Sequence, residues 1–195
     1  MLVQGLSPEV ITEADGEDWW RAFEVNVKGT FKVAQSFLST KNSEATFINI
    51  SAGSIQVPHL SAKLSAYNAS KFAALKLVET LGVENPSLYV VSMHPGVSTL
   101  PLPGCPLRCH RGERLLTSLQ VQFEMSGKIG LHKIFDAPEL PGHFAVWLCS
   151  EEAKFLRGRF VWCTWNASEL LAERAMFEAN PLLTTANCIG WPYSP

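Results

Sequence analysis

The chain has 195 residues, enough to bury one sizeable core, and is 47% hydrophobic and 17% charged. Its 16 basic and 18 acidic residues leave a formal charge of −2, which argues against a surface for nucleic acid built on bulk charge and against an acidic disordered tail. No apolar run reaches the ~20 residues of a membrane helix, and no basic stretch followed by an apolar core opens the sequence as a secretory leader.

Residues 1–16 carry apolar positions without a period and read as irregular. A helix is expected from Asp18 as cap to Leu38, with Trp19, Trp20, Phe23, Val27, Phe31, Ala34 and Phe37 at three- and four-residue steps on one buried face. Ala45 to Ile50 is a β-branched and apolar run, hence a buried strand, and it ends in the small residues Ser51-Ala52-Gly53-Ser54. A helix follows from Ser65, its expected cap, to Glu84, where Asn85-Pro86 stops it. Leu88 to Met93 is a second apolar strand, ending in His94-Pro95-Gly96-Val97-Ser98-Thr99. Residues 100–130 are irregular, with prolines and arginines but no interleaved aromatics that could stack on bases, so no nucleic-acid partner is expected. Leu140 to Ser150 reads as a helix, Arg159 to Cys163 as a third strand, and Glu169 to Glu178 as a last helix capped by Asn166 or Ser168. Residues 180–195 read as irregular.

Strands that are apolar on both faces and alternate with helices predict a parallel sheet covered on both sides, in one α/β domain over residues 1–195. Ligands of such sheets bind at the carboxyl ends of the strands, where Ser51–Ser54 and Pro95–Thr99 fall. Tyr67 and Lys71, four apart, would share a helix face at that same rim. A free tyrosine with a pKa near ~10 is a poor acid or base at neutral pH, and a cation held beside it favours the phenolate. Tyr67 is therefore a candidate proton donor to, or acceptor from, a carbonyl or hydroxyl, with Lys71 as its tuning charge.

The five cysteines, Cys105, Cys109, Cys149, Cys163 and Cys188, are odd in number and scattered. They predict no disulfide framework and fit a reducing compartment, the cytoplasm. Cys105, Cys109 and His110 lie close together, but no second half of a zinc site follows, so no metal is expected.

Four blocks together resemble the later half of a short-chain dehydrogenase/reductase: Phe23-Glu-Val-Asn26-Val-Lys-Gly-Thr30, Phe47-Ile-Asn-Ile-Ser51, Tyr67-Asn-Ala-Ser-Lys71 and Met93-His-Pro-Gly96-Val97-Ser-Thr99. Leu140 to Trp147 and Phe155 to Trp162 resemble the fungal members in particular. The resemblance implies a Rossmann-like doubly wound parallel sheet. It also implies an NAD(P)-dependent oxidoreductase that interconverts small-molecule carbonyls and alcohols, with a place in fungal secondary metabolism. Tyr67 matches the general acid/base, and Lys71 the residue that lowers its pKa and holds the nicotinamide ribose. Asn26 matches the asparagine that positions a relay water, and Val97 and Thr99 match contacts to the cofactor. Asn26, Tyr67 and Lys71 are also cofactor-binding positions, and residues 100–130 match the substrate lid. The helices carrying Trp19, Trp20 and Tyr67 resemble those the family uses for its dimer, so a homodimer is implied.

Two departures qualify the resemblance. The family's strand ends in two serines, and the second, a hydrogen-bond donor to the substrate oxygen, falls on Ala52 here. Ser54, thirteen residues before Tyr67, is the favoured replacement, with Ser51 as the other candidate. Secondly, none of the 13 glycines forms a G-x-G-x-x-G, and T-G-x-x-x-G-x-G is absent. That turn lets backbone amides reach a pyrophosphate, and without it NADP or NAD binding by this chain is not assured. The fold is thus expected to lack its first strands and glycine-rich turn. The alternative to an oxidoreductase is a truncated, non-catalytic remnant that associates through protein contacts.

Overall fold

A computed structural model describes residues 9–42, 45–57, 61–96, 136–137 and 139–186. Val97, Thr99, the 100–130 segment, Cys105, Cys109, His110 and Cys188 lie outside the described residues.

The first helical run starts one turn earlier than the sequence predicts. Asp15, not Asp18, caps α1 (Gly16–Phe23): its carboxylate accepts from the Asp18 amide at 3.0 Å. The run is continuous but not uniform, because a π-helical turn, Glu24–Lys28, joins α1 to α2 (Gly29–Thr40). Nor is its apolar stripe buried on a single face. Ala22, Asn26 and Ala34 face the core, whereas Trp20 is 60% and Phe31 48% exposed.

β1 (Thr46–Ile50), β2 (Tyr89–His94) and β3 (Phe160–Trp162) form a three-stranded sheet in the order β1-β2-β3, and both pairings are parallel. Thr46 lies opposite Tyr89, and Ser92 opposite Phe160. α3 (Ser65–Glu84) crosses from β1 to β2 as the sequence predicts, ending at Asn85. On that face Phe47, Val78, Leu81 and Val90 interlock with Ala34 of α2. On the opposite face Val91, Val161 and Phe177 pack with Leu148. These helices are α4 (Glu139–Leu148), α5 (Ala167–Ala172) and α6 (Arg174–Ala179). The expected last helix is therefore two, broken at Glu173, with Asn166 as the cap of the first. Helices on both faces of a parallel sheet confirm the doubly wound α/β reading.

The two sheet edges differ. The Phe160 amide on the outer side of β3 donates to the Thr184 carbonyl at 2.7 Å, so the chain returns along that edge. Among the described residues no strand flanks β1. The Ile50 carbonyl at its end is taken instead by Lys71 Nζ at 2.9 Å.

Candidate active site

The carboxyl end of the sheet gathers the predicted chemistry. β1 runs into Ser51 and then into a short 3-10 turn, Gly53–Ile55, which places Ser54 on the rim. The turn is tightly backed. A Cβ on Gly53 would lie 2.6 Å from the Trp162 ring and 2.9 Å from His94, so only glycine lets the loop pass between β2 and β3. Trp162 Nε1 donates to Gln56 Oε1 at 3.0 Å and ties β3 to the turn's far side. The Ser61 hydroxyl donates to the Ser54 carbonyl at 2.9 Å.

Tyr67 and Lys71 occupy the first turns of α3 on one face, as their spacing predicts, with the Lys71 ammonium 6.0 Å from the Tyr67 ring centroid. The electrostatics differ from the sequence expectation. Burial holds the Tyr67 phenol above its ordinary value and pushes the Lys71 ammonium below its own. Burial is the cause of both shifts, and the Lys71 ammonium donates to the Ile50 carbonyl at 2.9 Å. Tyr67 is thus a neutral phenol at neutral pH, which is the form that donates a proton.

Ser65 does not cap α3. Leu64 stands at the cap position, and the Ser65 hydroxyl accepts from Trp19 Nε1 at 3.0 Å, locking α1 to the start of α3. A cleft of about 20 Å³, room for one water, lies there between Asp18, Trp19, Lys63 and Tyr67.

Asn26 sits in the π-helical turn, 6% exposed. Its Nδ2 donates to Ser70 Oγ at 3.0 Å, and that hydroxyl donates to the Tyr67 carbonyl at 2.9 Å. The Asn26 carbonyl accepts from Thr30 Oγ1 at 2.7 Å. Asn26 is therefore one link from the main chain of Tyr67 and ties the two helices together.

The two serines part company. Ser51 is 3% exposed and its hydroxyl has no partner among the described residues. Ser54 is half-buried, and its Oγ donates to Asn68 Oδ1 at 2.6 Å, one residue beyond Tyr67. His94 lies behind them, its ring 4.6 Å from that of Trp162 at 78°. Burial, partly opposed by Asp136, pushes its imidazole down to about 4.

Neither Asn68 nor the Trp162–Gln56 tie was singled out from the sequence. Asn68 sits inside the Tyr67 block but shows its use only once Ser54 folds against it. Trp162 read only as an apolar strand residue. Among the described residues no cluster of His, Cys, Asp or Glu could hold a metal, and no helix is long and apolar enough to cross a membrane.

The fold and rim are those of a dinucleotide-type α/β domain with a tyrosine–lysine pair beside a rim serine. The short chain dehydrogenase family model matches residues 3–101, and the chain belongs to that family. A short chain dehydrogenase/reductase of Claviceps purpurea is 30% identical over 167 residues, which cover 83% of this chain and 49% of the relative. The short chain dehydrogenase/reductase nsrO of Aspergillus novofumigatus is 32% identical over 174 residues, 84% of this chain and 51% of that one. The chain thus spans about half the length of the curated relatives it matches. Among solved structures, the angucycline C-6 ketoreductase LanV with bound NADP superposes with a TM-score of 0.62 at 23% identity, over 79% of this chain and 55% of that one. The 3-ketoacyl-(acyl-carrier-protein) reductase of Brucella melitensis complexed with NADH gives 0.63 at 20%, over 83% and 62%. At these identities the likeness establishes the fold, a Rossmann-type parallel sheet.

The residues fit a nicotinamide dinucleotide at one end only. Tyr67 and Lys71 share one face of α3 at the carboxyl rim of the sheet, with Lys71 Nζ on the Ile50 carbonyl. No glycine-rich turn in the sequence offers amides to a pyrophosphate.

Proposed function

We propose that the chain carries the proton-transferring part of an NAD(P)-dependent carbonyl reductase acting on small ketones of fungal secondary metabolism. The observation that carries this reading is the rim geometry, with a buried, protonated Tyr67, Lys71 on the same helix face, and a serine hydroxyl reaching the residue after Tyr67. The fungal origin of the relatives supports the setting, and the cytoplasm is the compartment that fits the two free thiols among the described residues, Cys149 and Cys163.

When bound, the dinucleotide supplies the hydride. Tyr67 gives its phenolic proton to the carbonyl oxygen, and Ser54 Oγ–H holds that oxygen as charge builds on it. Once the phenolate forms, the Lys71 ammonium, 6.0 Å from the ring centroid, stabilises it. Lys71 also holds the nicotinamide ribose. Asn26, whose main-chain carbonyl accepts from Thr30 Oγ1, is the residue assigned to the relay water, as the family resemblance implies.

A second copy of the chain is the proposed partner. Trp20, Phe23, Val27 and Phe31 with Leu77 line an outward groove of about 620 Å³. Its rim alternates in sign, Glu17, Arg21, Glu24, Lys28. An antiparallel two-fold pairing therefore sets Glu17 against the partner's Lys28 and Arg21 against the partner's Glu24.

The test is a fusion of this chain behind the portion of the Claviceps purpurea relative that it does not match, assayed with NADPH and a ketone panel. NADPH oxidation that depends on both ketone and Tyr67 supports the reading, and a folded fusion that binds NADPH yet reduces none of the ketones counts against it.

A further inference from the structure

Ser54 is held by its backbone more firmly than by its side chain. Gly53 is wedged against Trp162 and His94, Gln56 is tied to Trp162, and the Ser54 carbonyl accepts from Ser61. Among the described residues the hydroxyl itself has one partner, Asn68 Oδ1 at 2.6 Å, and in that bond Ser54 is the donor. A serine hydroxyl carries a single proton. While Asn68 accepts it, Ser54 has none to offer a substrate oxygen. The other end of the same amide, Asn68 Nδ2, is buried and has no acceptor among the described residues. A half-turn of the amide would bring Nδ2 onto Ser54 Oγ as donor. The serine oxygen would then accept from Asn68, and its proton would be free to point outward.

We propose that Asn68 is a positioning residue for Ser54, whose side-chain amide turns over when a carbonyl substrate arrives, so that Nδ2 donates to Ser54 Oγ and the serine proton goes to the substrate oxygen. No bond is made or broken in the step; one hydrogen bond is exchanged for two. The proposal rests on the reading of Ser54 as the substrate's hydrogen-bond donor. It accounts for a donor left unpaired beside the tyrosine, since buried polar groups ordinarily find partners.

The test has two arms. In the chain itself, NMR coupling constants of the Ser54 side chain are expected to report one staggered χ1 well. Asn68→Ala should spread Ser54 over several wells while the amide shifts of residues 53–57 stay in place, and a Ser54 that keeps its single well overturns the proposal. Asn68→Asp should hold that well, because an ionised carboxylate still accepts the serine proton. In the NADPH-dependent fusion the same Asn68→Asp change is expected to lower kcat about tenfold at pH 7, the value of one lost hydrogen bond, with KM for NADPH unchanged. Turnover should recover as pH falls into the carboxyl's range, where a protonated group can donate. An Asp variant as active as wild type at pH 7 overturns the proposal. Adding Asn68→Ala to Ser54→Ala should cost nothing further, and additive losses overturn it. If Ser54→Ala alone leaves kcat untouched, the reading of Ser54 fails and the role of Asn68 with it, whereas the aspartate and additivity results fail Asn68 alone.

Discussion

At Tyr67 two physical effects oppose each other, and burial wins. The cation at helical spacing favours the phenolate, but removal of the ring from water favours the phenol more. The spacing was legible in the sequence; the balance was not, because it depends on how deeply packing buries the phenol. His94 gives a second residue-scale consequence. Its unfolded-state value near ~6.5 and its folded value of about 4 mean that the unfolded chain binds the extra proton between those pH values. Stability from this group is present above pH ~6.5 and is lost as pH falls toward 4, by at most about 3 kcal/mol. Thermal melts should show this acid loss, and His94→Asn should flatten it; an unchanged slope contradicts the burial of His94. Gly53→Ala should lower stability by about 1–3 kcal/mol in the same melts, because a Cβ there meets two aromatic rings rather than a flexible chain end.

At the scale of elements, the strands and α3 were the most readable parts. Their apolar runs are continuous because both faces are covered, and small or Pro-bearing ends stop them. The π-helical turn left no signal, since Glu24-Val-Asn26-Val-Lys28 has ordinary helical residues. Trp20 and Phe31 turn outward although they fall at three- and four-residue steps along the same run. Arg159 shows how the last helix is fastened. Buried and without an acidic partner among the described residues, it donates to the carbonyls of Phe177, Asn180, Pro181 and Leu183. Its planar fork reaches several acceptors at once, which a lysine ammonium cannot. Arg159→Met should therefore cost about 3 kcal/mol or more by leaving buried carbonyls unpaired, and Arg159→Lys should recover little of it. Denaturant titration checks both; a lysine variant as stable as wild type would remove the fork argument.

At the scale of the whole molecule, the doubly wound sheet was legible from the alternation of elements, and the family from four sequence blocks. The Ser54–Asn68 contact was not, because it joins residues fourteen apart across a loop whose path the sequence does not set. Self-association is tested by sedimentation. Trp20→Glu should shift the chain toward monomer by placing a charge in the groove, and an unchanged distribution contradicts the proposed two-fold. NADPH titrated into the chain alone should give no saturable tryptophan quenching, because the sequence holds no glycine-rich turn for the pyrophosphate. Saturable micromolar quenching would overturn that expectation.

The central claim is that this chain supplies the proton through Tyr67. The direct measurement is ketone-dependent NADPH oxidation by the fusion, compared with its Tyr67→Phe variant, alongside NADPH affinity of both. The account predicts turnover in the first, its abolition in the second, and nearly equal affinities. Retained turnover in Tyr67→Phe would contradict it.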